Sequence, residues 1–435
     1  MILRVHCMYQ FFLQYLHPYL RLEYFVSAWL ELIIYWCMGK RWKRRLVCKS
    51  GNWPLPSQSF KRLALFAAFH GPEVSLSNLA YIRCLNKAGF KVIYVHNGNL
   101  SQDSVQKLSQ LCEVVLERIN LGQDWGSFKD AFLNARRFGW LNDVEWLLFC
   151  NDSVHFLGDF AGSIFAKKLN KELHDVEEPV LGLNENQQPG QHLQSFFVAV
   201  KAEVFNSKPF VNFWKSYLPL SHRFHAISNG EVRWSLKVLN RFPRKVLYTP
   251  TDIASFAANS YEHDTNLGIS RLLIPKCCGA IVDGLSSSLL DDIKARDKAR
   301  EDRVQLSRAG GRFSTSGVYW DQLVALSGIL ESTNTSHSCA LMFCALLGSP
   351  FLKKDICKHN TFALSQINQF LEYFFEAKVE INPFSQQLFK EIICSYQSQG
   401  GLVSYMSRPR FAYRKGLFYR GFGIAPESLP NYGNR

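Results

Sequence analysis

The stretch Trp146-Leu-Leu-Phe-Cys-Asn-Asp-Ser-Val154 is a short apolar run that ends abruptly in three polar residues. Such a run predicts a buried strand whose carboxyl end opens at the protein surface. In open α/β sheets, ligands bind at the carboxyl ends of the strands. A carboxylate placed there, Asp152, can hold a divalent cation against a diphosphate, because hard cations prefer oxygen ligands. The stretch therefore indicates an enzyme that uses a nucleotide sugar.

From residue 62 to about residue 240, the chain alternates between short apolar runs and segments with helical spacing. The predicted strands cover residues 62–69, 91–95, 113–117, 146–150, 180–183 and 195–200. The predicted helices cover residues 74–88, 101–112, 127–138, 209–218 and 230–239. Alternation of strand and helix predicts βαβ units and a largely parallel sheet.

The length and composition predict an ordered protein with several parts. A chain of 435 residues can bury one large core or two smaller ones. We expect a catalytic domain at 60–290, preceded by a proline-containing linker at 50–59. A membrane-associating segment at 1–50, a helical region at 291–420 and a loose tail at 421–435 complete the predicted organisation.

The first fifty residues combine an aromatic, amphipathic stretch with a basic flank. Residues 8–38 are rich in aromatic and aliphatic side chains, and six lysines and arginines lie between Lys40 and Lys49. No uninterrupted apolar run reaches the roughly 18 residues that a membrane span requires. The pattern predicts a segment that lies in a membrane interface. The alternative is a helical hairpin packed on the catalytic domain, with a solvated basic end.

Charge and cysteine usage limit the partners and the compartment. A formal charge of +14 indicates an anionic partner, which leaves phosphate-bearing substrates, anionic lipid and nucleic acid open. Much of the basic clustering lies at 40–49 without a nucleic-acid motif, so we expect no nucleic-acid partner. The twelve cysteines include no Cys-x-x-Cys pair, which is typical of scattered thiols in a reducing compartment.

A dense group of polar residues and two glycines follows the predicted strand at 113–117. Arg118 and Lys129 can neutralise phosphate. Asn120 and Asp124 can form hydrogen bonds to a base or ribose, and the glycines would allow close backbone approach to the ligand. The alternative is a polar loop in which Asp124 caps the following helix. Both interpretations can be true, because helix N-termini bind anions well.

Polar residues also follow two other predicted strands. Asn97 comes just after the strand at 91–95, where an Asn-Gly pair forms a turn or meets the nucleotide. Asn151 and Ser153 flank Asp152, and we expect them to support it at the diphosphate. A lone aspartate at a strand end is also a common cap or turn residue.

Two candidates lie further along the chain. Gln194 precedes the predicted strand at 195–200, and Glu231 lies at the start of a predicted helix. A carboxylate that faces a sugar site can act as general base on an acceptor hydroxyl. Glutamate in a first helical turn is also favourable for structural reasons alone. His192 is expected to face solvent.

The motifs and their order resemble those of the rhamnan synthesis protein F family over residues 60–365. The segments that carry the resemblance are Arg118-Ile-Asn-Leu-Gly-Gln-Asp-Trp-Gly-Ser-Phe-Lys129, Asn151-Asp-Ser-Val154, Leu193-Gln-Ser-Phe-Phe197, Asn334-Thr-Ser-His337 and Gly348-Ser-Pro-Phe-Leu-Lys353. The chain departs from the family at His155-Phe156, where Gly-Pro is usual, and at Phe128, where Trp is usual. The Asp-x-Asp pair of many A-type glycosyltransferases is also absent.

The resemblance implies an α/β fold of the glycosyltransferase A type, a Rossmann-like mixed sheet flanked by helices with helical N- and C-terminal additions. It implies transfer of rhamnose or another deoxysugar from a nucleotide-sugar donor to a lipid-linked or polysaccharide acceptor. The product would be bacterial cell-surface polysaccharide or lipopolysaccharide. The enzyme would be cytoplasmic and peripherally attached to the inner face of the cytoplasmic membrane.

We therefore expect Asp152 and Glu231 to be the catalytic residues. Asp152 would bind a divalent cation, Mn²⁺ or Mg²⁺, against the diphosphate, and Glu231 would serve as general base. Arg118, Asn120, Asp124 and Lys129 would hold the nucleotide or diphosphate. Two alternatives from other classes are a catalytically silent scaffold protein of the same fold and, suggested only by the charge, a nucleic-acid-binding protein.

Overall fold

The computed structural model describes residues 46–53, 55–56, 59–187, 191–220, 225–253, 255, 273, 334–356, 361–378 and 383–398. Nearly all of the predicted membrane-associating segment and the whole predicted tail at 421–435 lie outside the described residues.

The strands of the described residues fall into one large and two small sheets. They are β1 Val47–Ser50, β2 Arg62–Ala68, β3 Lys91–Asn97, β4 Val114–Arg118, β5 Trp146–Asn151, β6 Val154–Phe156, β7 Val180–Gly182, β8 Glu185–Asn186, β9 His192–Leu193, β10 Phe197–Lys201, β11 Arg244–Val246 and β12 Phe351–Lys353. The large sheet has the order β1-β4-β3-β2-β5-β10-β7-β11, while β12 pairs with β6 and β8 with β9.

Helices cover both faces of the large sheet. They are α1 Leu76–Lys87, α2 Gln102–Ser109, α3 Gln123–Arg137, α4 Gly158–Asp175, α5 Ala202–Phe205, α6 Lys208–Ser216, α7 Arg233–Lys237, α8 Thr335–Ser338, α9 Ala340–Leu347, α10 Leu364–Lys378 and α11 Pro383–Ser398. A π-helix, Ala226–Val232, runs directly into α7, and a 3₁₀ turn, Leu239–Arg241, follows it.

The large sheet is mixed. Strands β4, β3, β2 and β5 are mutually parallel, as are β7 and β11. The strand β10 runs antiparallel between β5 and β7, and β1 runs antiparallel to β4 at the edge. The predicted α/β architecture, a mixed sheet flanked by helices, is confirmed. The sequence predicted β10 as a strand but not its direction, because an apolar run looks the same in either direction.

Each face of the sheet has its own core, because side chains alternate along a strand. Leu65 of β2 packs with Trp125 and Phe132 of α3. Its neighbour Phe66 points to the other face, where it packs with Tyr81 of α1 and the residues of α4. Burial on both faces explains why β2 reads as an unbroken apolar run.

The strand β1 occupies the end of the segment that we predicted to associate with a membrane. Val47–Ser50 pairs with β4, and the Lys49 ammonium lies 3.0 Å from the Glu117 carboxylate. Lys49 is therefore part of the sheet edge, not of a free basic flank. Across the described residues, no helix is both long enough and apolar enough to cross a membrane.

The C-terminal part of the chain packs back against the part that carries the large sheet. The strand β12 pairs antiparallel with β6, and the backbone N–H of Leu157 donates to the carbonyl of Pro350. The helix α11 packs on α1, where the Glu391 carboxylate accepts from the backbone N–H groups of Leu76 and Ser77 at 2.8 and 3.4 Å. A side chain from a distant helix thus caps α1.

Replacing Glu391 with alanine should lower the free energy of unfolding by about 1–2 kcal/mol. The substitution leaves the first amides of α1 without their acceptor and removes a negative charge from the helix N-terminus. Urea denaturation followed by circular dichroism measures the change. The matched control is Glu372→Ala, because Glu372 is exposed on α10. Equal loss of stability in both variants would contradict a capping role for Glu391.

Candidate active site

Polar side chains gather at one edge of the large sheet. The parallel strands β2, β3 and β5 end at Ala68, Asn97 and Asn151, so their carboxyl ends share this edge. The strand β10 is antiparallel to β5, with Phe197 opposite Cys150. The start of β10 therefore lies at the same edge. This is where the fold predicts a ligand.

Asp152 lies in the turn between β5 and β6 and is 6% exposed. Its Oδ2 accepts from the backbone N–H of Phe69 at 3.1 Å, just beyond the end of β2. The Lys354 ammonium lies 3.9 Å from the same oxygen. The main-chain hydrogen bond thus holds this carboxylate in position, with a cation nearby.

Asp124 lies opposite, in the first turn of α3, which begins at Gln123. Its Oδ2 accepts from the Asn151 side-chain amide at 3.0 Å. Burial raises the pKa of Asp124 to about 7, and the negative charges of Asp152 and Glu231 add to this rise. Two lysines at the end of β12 oppose part of it. The carboxylates at this edge therefore influence one another electrostatically.

Asn151 connects the two sides of this arrangement. Its Oδ1 accepts from the backbone N–H of Ser153 at 3.0 Å and from the Ser153 hydroxyl at 2.7 Å. Its Nδ2 donates to Asp124. The structure therefore places Asn151, Asp152, Ser153 and Asp124 together.

Glu231 reaches the same edge from the π-helix. Its Oε1 accepts from the backbone N–H of Ser195 at 2.7 Å, and its Oε2 lies 3.8 Å from Nε2 of His192. His192 is buried and also contacts the Gln194 amide at 3.2 Å, so the expectation that it faces solvent is wrong. A π-helix commonly marks a functional position.

Gly230 sets the position of the π-helix against α3. A Cβ built on Gly230 would lie 2.6 Å from the indole ring of Trp125. Only glycine allows this approach, and Trp125 directly follows Asp124. The same packing contact therefore positions both Glu231 and Asp124.

Two lysines in this group were not selected from the sequence. The Lys353 ammonium donates to the Ser153 hydroxyl at 3.0 Å, and Lys354 lies next to Asp152. Lys353 closes one of the motifs that carry the family resemblance. Its nearness to Asp152 was invisible, because 200 residues separate it from Ser153.

Arg118 and Asn97 bond to each other near the end of β3. Arg118 is buried, and its guanidinium donates to the Asp130 carboxylate at 3.0 Å and to Oδ1 of Asn97 at 2.5 Å. It also donates to the carbonyl of Leu121. Both side chains thus help to hold the loop before α3, and direct ligand contact by either one stays a prediction.

The motif glycines serve the same loop. Gly122 has φ +73°, and a Cβ there would lie 2.4 Å from Cβ of Pro219. A Cβ on Gly126 would lie 2.0 Å from the carbonyl oxygen of Leu121. Both glycines therefore allow close packing between parts of the protein itself.

Lys129 and Asn120 complete the predicted group. The Lys129 ammonium donates to the backbone carbonyls of Lys215 and Tyr217 at the end of α6. Asn120 is exposed in the loop. In the sequence motif, the residues around Arg118 thus form contacts inside the protein, whereas Asp124 lies at the sheet edge. Ligand contact by Asn120 and Lys129 stays a prediction.

A divalent cation beside Asp152 would need oxygen ligands from the protein or from the substrate. Among the residues that the structure describes, no group of three or more His, Cys, Asp or Glu side chains is arranged to hold a metal ion. Mg²⁺, however, is usually bound by one or two carboxylates together with substrate phosphates. Asp152 and its neighbour Asp124 fit that mode. The assignment of Asp152 as metal ligand stays a prediction.

A mixed α/β sheet with polar side chains at its carboxyl edge is consistent with the predicted glycosyltransferase A-type fold. Residues 92–265 match the family model described as rhamnan synthesis protein F, which confirms the resemblance over that range. The match supports a glycosyltransferase of polysaccharide synthesis. It includes the loop before α3, the turn after β5, and Glu231.

One curated relative is the uncharacterized protein y4gN of Sinorhizobium fredii, 25% identical over 173 residues. That alignment covers 38% of this chain and 43% of the relative, so the chain spans less than half the length of the relative it matches.

Two solved structures are similar at low scores. The glycosyltransferase GlyE of Streptococcus pneumoniae has 11% identity and a TM-score of 0.27, over 47% of this chain and 50% of that chain. The mannosyltransferase PcManGT of Pyrobaculum calidifontis, in complex with GDP-Man and Mn²⁺, has 12% identity and a TM-score of 0.25. That likeness covers 77% of this chain and 97% of that chain.

Replacing Asp124 with asparagine should stabilise the protein at pH 8 by about 1–3 kcal/mol, since a buried charge is removed. The folded-state pKa of about 7 lies above the ordinary 3.8, so between these values the folded protein binds a proton that the unfolded chain does not. The contribution of Asp124 to stability therefore falls as pH rises through this window. The advantage of the variant should vanish near pH 4.

Thermal unfolding of both proteins between pH 4 and 8.5 measures this difference. Asp143→Asn, at an exposed position, is the matched control and should follow the wild-type profile. A constant gap between Asp124→Asn and wild type across the range would show that the pKa of Asp124 is not raised.

Proposed function

We propose that this chain is a glycosyltransferase that moves a sugar from a nucleotide-sugar donor to a growing cell-surface polysaccharide or lipopolysaccharide acceptor. The observation that carries the proposal is the convergence of Asp124, Asp152 and Glu231, from three separate elements, at the carboxyl edge of the sheet. The family match over residues 92–265 supports the polysaccharide assignment. The sugar would be rhamnose or another deoxysugar.

Asp152 would face the donor diphosphate. Its hydrogen bond from Phe69 and its place in the Asn151–Ser153 turn hold it rigidly, which suits a group that must not reorganise during the reaction. A Mn²⁺ or Mg²⁺ ion bound there would supply positive charge to the departing diphosphate. Asn151 and Ser153 position Asp152, and the exposed Asn120 is the proposed contact to the base or ribose.

Glu231 would act as general base on the acceptor. One carboxylate oxygen is fixed by the Ser195 amide, so the carboxylate keeps a constant orientation toward the site. As the acceptor oxygen bonds to the sugar carbon, Glu231 would take the hydroxyl proton. Gln194 lies beside it and would hydrogen-bond the sugar.

Glu231→Gln should keep donor binding but lower the transfer rate about 10²- to 10⁴-fold, which is the usual contribution of a general base. Donor binding is measured first by thermal shift with UDP, dTDP, GDP and CMP sugars, each with and without Mn²⁺ or Mg²⁺. A ligand that binds only the folded state raises the melting temperature.

Asp152→Ala should lose the metal-dependent part of the thermal shift and most of the turnover.

The control is Glu203→Gln, since Glu203 is an exposed glutamate on α5. It should bind and transfer like wild type. Wild-type turnover by Asp152→Ala would refute its assigned role, and the absence of any donor-induced shift in the wild-type protein would argue for a catalytically silent scaffold.

The acceptor would be lipid-linked and presented at the inner face of the cytoplasmic membrane. The amphipathic N-terminal sequence and its basic flank support a peripheral attachment there, since each basic residue near an anionic leaflet contributes about 1 kcal/mol. Lys49 is excluded from this role because it pairs with Glu117 in the sheet.

Removing residues 1–45 should abolish binding to vesicles that contain anionic lipid, while the sheet edge at β1 stays intact. Flotation of the purified full-length and shortened proteins with anionic and neutral vesicles measures the loss. The melting temperature checks that the shortened protein is folded. If both proteins float equally with anionic vesicles, the membrane contact lies outside residues 1–45. If neither protein floats, the proposed membrane attachment is wrong.

A further inference from the structure

We infer that Lys353, the last residue of β12, and Lys354, which follows it, form a pair of lysines that binds the diphosphate of the nucleotide donor beside Asp152. The inference rests on the proposed function and adds a second set of binding residues to it. The pair comes from a part of the chain outside the family match at 92–265.

The register of β12 places the lysines beside the turn that carries Asp152. In the antiparallel pairing of β12 with β6, Lys353 lies opposite Val154 and Leu352 opposite His155. The backbone N–H of Lys354 continues this pairing by donating to the carbonyl of Ser153 at 3.2 Å. Both lysines therefore lie beside the turn that contains Asp152 and Ser153. The pairing of β12 with β6 sets this position.

Contacts on both sides of β12 fix that register. The carbonyl of Pro350 accepts from Leu157, and the carbonyl of Lys353 accepts from the Tyr396 hydroxyl of α11 at 2.7 Å. Beyond the strand, His337 of α8 lies 2.9 Å from the Asp355 carboxylate. A slip by one residue would turn every side chain of the strand to its opposite face. These contacts make such a slip costly.

The two ammonium groups lie where a diphosphate would need them. Lys353 donates to the Ser153 hydroxyl at 3.0 Å and lies 4.7 Å from the ring centroid of Phe196. Lys354 is 3.9 Å from Asp152, beyond the usual hydrogen-bond distance of about 2.7–3.2 Å. Its side chain is 26% exposed. Lys354 can therefore turn to an incoming phosphate without breaking a short hydrogen bond.

The negative charges at the edge explain why the diphosphate needs positively charged partners, here called the lysine clamp of Lys353 and Lys354. Asp124, Asp152 and Glu231 are negative when ionised, and they would repel a diphosphate that approached the same edge. Lysine binds phosphate as a point charge. Because negative charge builds on the diphosphate as the sugar leaves, two ammonium groups beside it would stabilise the transition state more than the bound donor.

The test compares binding of nucleoside diphosphates with binding of the matched nucleosides to the full-length protein. Isothermal titration with UDP, dTDP, GDP and CDP, and with uridine, thymidine, guanosine and cytidine, separates the diphosphate contribution from that of the base. In Lys354→Met, we expect Kd for the preferred diphosphate to rise about ten- to hundredfold, as for a lost charged hydrogen bond. Kd for its nucleoside should not change.

Lys354→Arg should restore most of the diphosphate affinity, because it keeps the charge. Lys167→Met removes an exposed lysine of α4 and should bind like wild type. Lys354→Gln is a second neutral variant, to be used if the methionine variant has a lowered melting temperature. Unchanged diphosphate affinity in the folded neutral variant would overturn the lysine clamp and leave the proposed function standing. Failure of wild type to bind any of the four diphosphates would overturn both.

Discussion

The site depends on a single buried amide, the side chain of Asn151. An amide has one donating and one accepting end, so its orientation is set by what lies on either side. Its nitrogen faces Asp124 on α3, and its oxygen faces Ser153 in the turn that carries Asp152. The strand β5 is buried along its whole length, so the amide has little freedom to move. The distance between the helix and the turn is thereby fixed by the end of one strand.

An aromatic layer beneath the edge holds the helices in place. Trp125 stacks on Trp214 of α6 at 5.6 Å and meets Trp234 of α7 edge-on at 5.5 Å. Phe149 of β5 stacks on the same Trp214 at 5.3 Å. Through these rings, α3, the π-helix region and β5 share one packed support. The elements that carry the carboxylates of the site are therefore held rigidly by packed aromatic rings. Electrostatic stabilisation of a transition state requires such fixed positions.

Much of the fold could be predicted from the sequence, since the strands β2, β3, β4 and β5 are buried on both faces and contain runs of consecutive apolar residues. Asp152 could be found for the same reason, because it ends such a run. The internal contacts of Arg118 could not be predicted, since a motif shows which residues occur together but not which way each side chain points. A guanidinium with partners such as Asp130 is satisfied inside the protein. The π-helix at Glu231 and the pairing of β12 with β6 depend on tertiary contacts, which local spacing does not encode.

The long separation between β6 and β12 has a consequence for how the protein is made. Ser153 and Lys353 are 200 residues apart, so at about 5–20 residues per second a ribosome needs roughly 10–40 s to pass from one to the other. The parallel core around β2 and β5 is already synthesised at the start of that interval. During biosynthesis the nascent chain thus carries the acidic half of the site before its basic half exists. A chain released late in that interval, after Glu231 and Trp234 have been synthesised, would carry the three carboxylates of the site but would lack the lysine pair.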